Sequence, residues 1–260
     1  ILFPNADVIM VNNDKNEFNK PGLNLDMKVL LDVKSVLEDM LKKARINKNK
    51  QFTSWTEYCL TLKKDYPIVT SNLASNPINS YFLVSRLAAL SNKKQHFVSD
   101  AGSSYYVTGQ VLDYAFGQKD ITSGSFATMG AAIPMAIGAS CYDKDAQIIV
   151  VTGDGSLELN IQELKTVSQN NLNIKIFVIN NGGYASIRES QDEYSEGRYT
   201  EDEDILDFSK VANAFEMNYE IIDDYLTIDE QINKVTSNSN PTLIEVVCER
   251  DQKIFGPEVI

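Results

Sequence analysis

Hydrophobic residues along this chain follow two rhythms. Short, mostly apolar runs of strand length occupy 6–11, 96–99, 147–152, 174–179 and 242–248. Between them, apolar residues recur every three or four positions, the period of a half-buried helix. That spacing predicts helices over 27–41 (Val29, Leu30, Val33, Val36, Leu37, Met40), 76–91, 127–141, 158–169, 205–215 and 228–235. Asn76 fits an N-cap, with Pro77 at the first helical position. The 127–141 segment is rich in Ala and Gly, which permits close packing on a sheet. Strand–helix alternation predicts an α/β fold: a doubly wound parallel sheet with helices on both faces.

The alternation does not start at residue 1. One strand and one helix precede Arg45-Ile46-Asn47-Lys48-Asn49-Lys50, a polar and basic stretch. One strand and one helix cannot bury a core alone. The expected organisation is therefore the tail of another α/β domain over 1–45, a linker over 46–52 and the main domain over 53–260. An ordinary loop inside one domain is the alternative at 46–52. The opening Ile1 gives the segment the look of the end of something longer.

Composition narrows the partners. With 260 residues, 43% of them hydrophobic, one sizeable core is within reach. A net charge of −12 argues against a nucleic-acid or anionic-membrane partner, which calls for a basic face. The run Glu201-Asp202-Glu203-Asp204 reads as loop and helix-start charge. Cys59, Cys141 and Cys248 have no CxxC spacing and read as free thiols of a reducing compartment. Without a signal peptide or an eighteen-residue apolar run, a cytoplasmic protein is expected. His96, the one histidine, reads as a strand-edge residue; one histidine builds neither a Ser/His/Asp triad nor a His-rich metal site.

The chemistry gathers at two strand ends. The run at 147–152 meets Gly153-Asp154-Gly155-Ser156, and the run at 174–179 meets Asn180-Asn181-Gly182-Gly183. In a parallel sheet both motifs sit at strand carboxyl ends, where open α/β sheets bind ligands. Asp154 offers a carboxylate and Asn181 a neutral oxygen. Gly153 and Gly155 let the backbone approach a ligand. A helix starting near Ser156 directs free N–H groups at an anion. That donor set suits Mg²⁺ carrying a diphosphate. No G-x-G-x-x-G follows a strand, which disfavours a dinucleotide-binding Rossmann domain.

The spacing of GDG and NN resembles the thiamine-diphosphate enzyme signature. The GDGS, Asn160-Ile161-Gln162-Glu163-Leu164 and Lys175-Ile176 wording resembles its acetolactate-synthase-like branch. The resemblance covers most of the chain after residue 50, and it implies the following. Thiamine diphosphate and Mg²⁺ are the cofactors; FAD stays open, since relatives that bind it do so mainly through the middle domain. Asp154, Asn181 and the Gly183 carbonyl ligate the metal. Met129 wedges beneath the cofactor, and the Ala127 carbonyl, where the family usually has Gly, accepts from its amino group. A lone Met is ordinarily core; the position of Met129 ahead of Asp154 favours the wedge. Ala101, Gly102, Ser103 and Ser104 occupy the place of the first diphosphate loop, and a plain serine-rich turn fits them equally well. Gly153, Gly155, Ser156, Tyr184 and Ala185 meet the cofactor, and Ser186 faces the substrate.

By the same resemblance the reaction makes or breaks a C–C bond next to the carbonyl of a 2-oxo acid. An activating glutamate lies in an N-terminal pyrimidine-binding domain, expected outside these residues, so no catalytic residue is assigned here. Active sites then form between subunits of a homodimer or homotetramer, and this chain alone is expected to be inactive. True acetohydroxyacid synthases place a tryptophan where this chain has Ser190; Trp55 reads as structural. That departure, with the wording of 180–188 and 249–257, points toward relatives of polysaccharide pathways. The alternative is a non-catalytic assembly or regulatory module on the same fold.

Overall fold

The computed structural model describes residues 6–43, 52–199 and 205–255. Residues 46–51 of the expected linker and the acidic run Glu201–Asp204 lie outside the described residues. The chain divides into two compact units, Ile1–Leu62 and Lys63–Ile260.

In the first unit, β1 (Ile9–Asn12) pairs parallel with β2 (Met27–Leu30), and α1 (Val33–Lys43) follows. The helix expected over 27–41 is corrected here. Its first turn is strand, and Asp32 ends the extended run by accepting from the Lys34 N–H at 2.9 Å. Val29 and Leu30 fit a helical period, yet backbone pairing with β1 claims them; short apolar runs carry this ambiguity. Phe18 is the one buried side chain among the described residues of this unit. The helix α2 (Thr53–Asp65) carries Trp55 exposed, beside Tyr58 with ring centroids 5.7 Å apart.

The second unit is built on a six-stranded parallel sheet. Its elements run α3 (Ser80–Leu90), β3 (Gln95–Ser99), α4 (Gly102–Val111), β4 (Asp120–Ile121), α5 (Ala132–Tyr142), β5 (Gln147–Gly153), α6 (Asp154–Glu158), α7 (Glu163–Gln169), β6 (Ile174–Asn180), α8 (Ala185–Tyr194), α9 (Phe208–Ala214), β7 (Asn218–Ile222), α10 (Ile228–Thr236) and β8 (Thr242–Val247). The strand order is β4-β3-β5-β6-β8-β7. Alternate residues of each strand feed two separate cores, as a pleated strand requires. Ile149, Val151, Phe177 and Ile179 face α3, α4 and α10. Ile148, Val150, Ile176 and Val178 face α5, α6, α7 and α9. Burial on both faces explains why these strands are continuously apolar.

Several boundaries move. The expected N-cap Asn76 instead bonds Tyr225 N–H at 2.9 Å, and Asn79 caps α3 by accepting from Tyr81 N–H at 3.0 Å. The 127–141 helix starts only at Ala132, because Ala127 (φ 43°) and Gly130 (φ 77°) take left-handed conformations that no right-handed helix contains. The helix expected over 158–169 shortens to α7, and Glu158 ends the separate α6 that starts at Asp154. Elements α2, α4, β4, α8 and β7 had no counterpart in the apolar pattern. All three cysteines are free; Cys248 is buried, whereas Cys59 and Cys141 are exposed. Among the described residues no helix is long and apolar enough to cross a membrane.

Candidate functional site

The sheet reverses its winding between β3 and β5. From β3 the chain passes through α4 to β4 on one side; from β5 it passes through α6 and α7 to β6 on the other. Such a switch point opens a crevice at the strand carboxyl ends. A cavity of about 530 Å³ lies there. Ser99 and Val151 are register partners, as are Gly153 and Ile179, so Asp100, Asp154 and Asn181 follow three neighbouring strand ends.

Asp154 is buried and holds three backbone N–H groups. Its Oδ1 accepts from Gly155 at 2.7 Å; its Oδ2 accepts from Asn181 at 3.0 Å and Gly183 at 2.9 Å. The carboxylate thereby stitches the start of α6 to the loop after β6. Asn181 lines the cavity, and its side-chain amide has no hydrogen-bond partner among the described residues. Gly155 is required by close approach: a Cβ there would lie 2.7 Å from the Tyr184 ring. Burial, then the Asp154 charge, pushes the nearby Cys248 thiol up from its ordinary value.

On the β3 side, α4 begins at Gly102 with no side-chain cap, since its N-cap is Ala101. The first N–H groups of such a helix have no partner within it and suit an anion. Ser104 Oγ turns inward to Asp100 Oδ1 at 3.1 Å, whereas Ser103 Oγ lies 3.4 Å from Ser186 Oγ.

Asp100 is the hub that the sequence did not single out. It is fully buried and accepts five hydrogen bonds. Its Oδ1 takes Ala101 N–H at 2.9 Å and the Ser104 hydroxyl. Its Oδ2 takes Gly130 N–H at 3.2 Å, Thr152 Oγ1 at 3.0 Å and Ser156 Oγ at 2.8 Å. Burial pushes its carboxyl above the ordinary aspartate range, against the pull of Ser156 and the other donors. The segment with Ala127 and Met129 is thus fixed to β3, β5 and α6 at once. Asn160 Nδ2 secures it again through the Gly130 carbonyl at 2.9 Å. The available signal for Asp100 was positional: an aspartate directly after an apolar strand, as Asp154 is.

The structure brings almost all the expected residues together. Ala101, Gly102, Ser103, Ser104, Ala127, Met129, Gly153, Asp154, Gly155, Ser156, Asn181, Tyr184 and Ala185 all line the one cavity. Gly183 does not line it; its N–H is on Asp154 and its carbonyl accepts from Arg188 Nη1. Ile179, Ile187, Ser190 and Gln191 line it further, beside Ser186. His96 is buried inside β3, away from this end, with Nε2 3.2 Å from Asp143. Among the described residues no three His, Cys, Asp or Glu side chains cluster to hold a metal.

Comparison with known proteins agrees with this geometry. The family described as "Thiamine pyrophosphate enzyme, C-terminal TPP binding domain" matches residues 100–246. The chain is similar to an acetolactate synthase of Mycobacterium leprae, 26% identical with 97% of this chain and 42% of that protein covered. It is similar to the acetolactate synthase large subunit of Buchnera aphidicola subsp. Schizaphis graminum, 31% identical over 82% of this chain and 37% of that one. The acetolactate synthase isozyme 1 large subunit of Escherichia coli is 26% identical, with 97% and 44% covered. The chain thus spans less than half the length of these relatives.

Proposed function

The chain belongs to the thiamine pyrophosphate enzymes, carrying their C-terminal TPP-binding domain, and on that premise we propose that the cavity at the β3–β5 switch point holds thiamine diphosphate with Mg²⁺. Bound there, the cofactor supplies a nucleophilic carbon and an electron sink. The N–H groups of Gly102, Ser103 and Ser104, with the Ser103 hydroxyl, would hold phosphate oxygens. Asp154 and the Asn181 side-chain oxygen would hold the metal; the Gly183 carbonyl, the third protein oxygen expected by resemblance, lies off the cavity lining and accepts from Arg188 Nη1. The diphosphate and water would supply the other ligands of the Mg²⁺ ion. Met129, on the cavity wall, is the proposed wedge between the two cofactor rings, and Ala127 offers its carbonyl beside it.

One observation carries the reading: a carboxylate on the β5 end, an amide on the β6 end with no partner among the described residues and an uncapped helix start share one cavity. The names of the relatives support a reaction that makes or breaks a C–C bond next to the carbonyl of a 2-oxo acid. We place the activating glutamate in a pyrimidine-binding domain outside these 260 residues, and the complete active site between subunits of a homodimer or homotetramer. Calorimetric titration of the full-length protein with thiamine diphosphate and Mg²⁺ tests the site. Asp154→Asn, which keeps the side-chain shape, and Asp154→Ala should both abolish binding while circular dichroism shows the fold intact. Wild-type affinity in either folded variant would overturn the assignment.

A further inference from the structure

Among the described residues Arg188 is the largest fully buried side chain, at 1% exposure, and the proposed function gives it no task. It lies on α8, just past the loop that ends β6. A guanidinium has five N–H donors in one plane, and here all five are engaged. Nε donates to Asp251 Oδ1 at 3.3 Å. Nη1 donates to the carbonyls of Gly182, at 3.0 Å, and Gly183. Nη2 donates to the carbonyls of Asn181, at 3.0 Å, and Arg250, at 2.6 Å.

Three of those acceptors are consecutive peptides of one loop. The loop turns because Gly182 (φ 80°), Gly183 (φ 75°) and Tyr184 (φ 40°) are all left-handed in succession. Tyr184 has no glycine's freedom there, so the conformation needs outside support. The support comes from two opposite charges. Asp154 Oδ2 collects the N–H groups of Asn181 and Gly183, and Arg188 collects the carbonyls of Asn181, Gly182 and Gly183. The buried carboxylate holds two N–H groups of this loop and the buried guanidinium holds three of its carbonyls, so the Gly182–Gly183 peptide is held at both ends.

We propose that Arg188 is a positioning residue that presets the Asn181–Tyr184 loop, so that Asn181 and Asp154 face the diphosphate and its metal before either arrives. This rests on the reading that the loop holds the cofactor. Lysine keeps the charge at this position but offers three donors on one point in place of a planar five-donor fork, and it cannot engage all five acceptors.

Hydrogen exchange on the full-length protein without added cofactor tests this, comparing wild type with Arg188→Lys. The amides of Asn181 and Gly183 should exchange at least about tenfold faster in the variant, while those of Ile176–Val178 in β6 stay within about twofold. Affinity for thiamine diphosphate with Mg²⁺, by calorimetry, should fall at least about tenfold. Loop exchange within twofold of wild type, loss of protection in β6 as well as the loop, or a loosened loop with wild-type affinity each overturns the proposal. If Arg188→Lys does not fold, Asp251→Ala removes the acceptor of Nε at an exposed position. A selective rise in exchange at the same two amides then supports the proposal, and unchanged exchange overturns it. Failure of the wild-type protein to bind the cofactor would refute the cofactor reading instead and would leave the exchange result standing.

Discussion

Replacing Asp100 by asparagine changes one atom and tests how the site is held. The two oxygens of Asp100 face two backbone donors, Ala101 N–H on one side and Gly130 N–H on the other. A carboxyl presents an acceptor to both. An amide presents one acceptor, and its NH₂ must then oppose the other N–H. The hydroxyls of Ser104, Thr152 and Ser156 can rotate to adapt; a backbone N–H cannot. One buried backbone donor left unpaired costs about 1–3 kcal/mol, and weakening a hydroxyl bond adds about 1 kcal/mol. The expected loss is about 3 kcal/mol, or a fall in Tm of roughly 6–12 °C for a unit of this size. Burial raises the Asp100 carboxyl above 3.8 in the folded protein. The stability gained from the proton is therefore complete below 3.8 and declines as pH rises through the folded value. The deficit of Asp100→Asn should be largest near pH 3.8 and shrink as pH rises, measured by thermal and urea denaturation of the full-length protein. A loss below about 1 kcal/mol throughout, or a deficit that grows with pH, would refute the hub argument.

Two further outcomes follow from buried strain and buried charge. Ala127 sits at φ 43°, where glycine is unstrained, so Ala127→Gly should stabilise the protein by about 0.5–1 kcal/mol in denaturant melts, after the entropy that glycine adds to the unfolded chain; a destabilised variant would show the left-handed turn to be wrong. Lys175 is fully buried, its ammonium on Asn238 Oδ1 and the Asn240 carbonyl, and burial lowers its pKa from 10.5 to about 8. The unfolded state then holds more protons between about pH 8 and 10.5, so wild-type stability should rise across that window by about 2 kcal/mol. Lys175→Met should remove the rise, and an equal rise in that variant would assign it to another group.

The local pattern determined the class of fold and the position of the chemistry. Mostly apolar runs at 147–152 and 174–179 have the length and composition of strands buried on both faces, and each is followed closely by glycine and polar residues that mark a turn. Gly153, Asp154, Asn181 and Gly182 were legible because motif, strand end and spacing coincide within one short βαβ stretch. Tertiary structure decided the rest. Met27–Leu30 joined a sheet although its spacing suits a helix, since a partner strand outweighs a weak period. The 124–131 segment left the helix ahead of it because Asp100, thirty residues earlier, holds Gly130 in place. Arg188 carries no local mark, and the only mark on Asp100 is its place directly after an apolar strand. Each is a charge whose partners are backbone groups from separate segments, and such partners exist only once the sheet has brought the strand ends together. The sequence by itself determined which strands end in ligand-binding chemistry; the folded chain alone determined how those ends are held, because the holding is done by buried charges acting across the sheet.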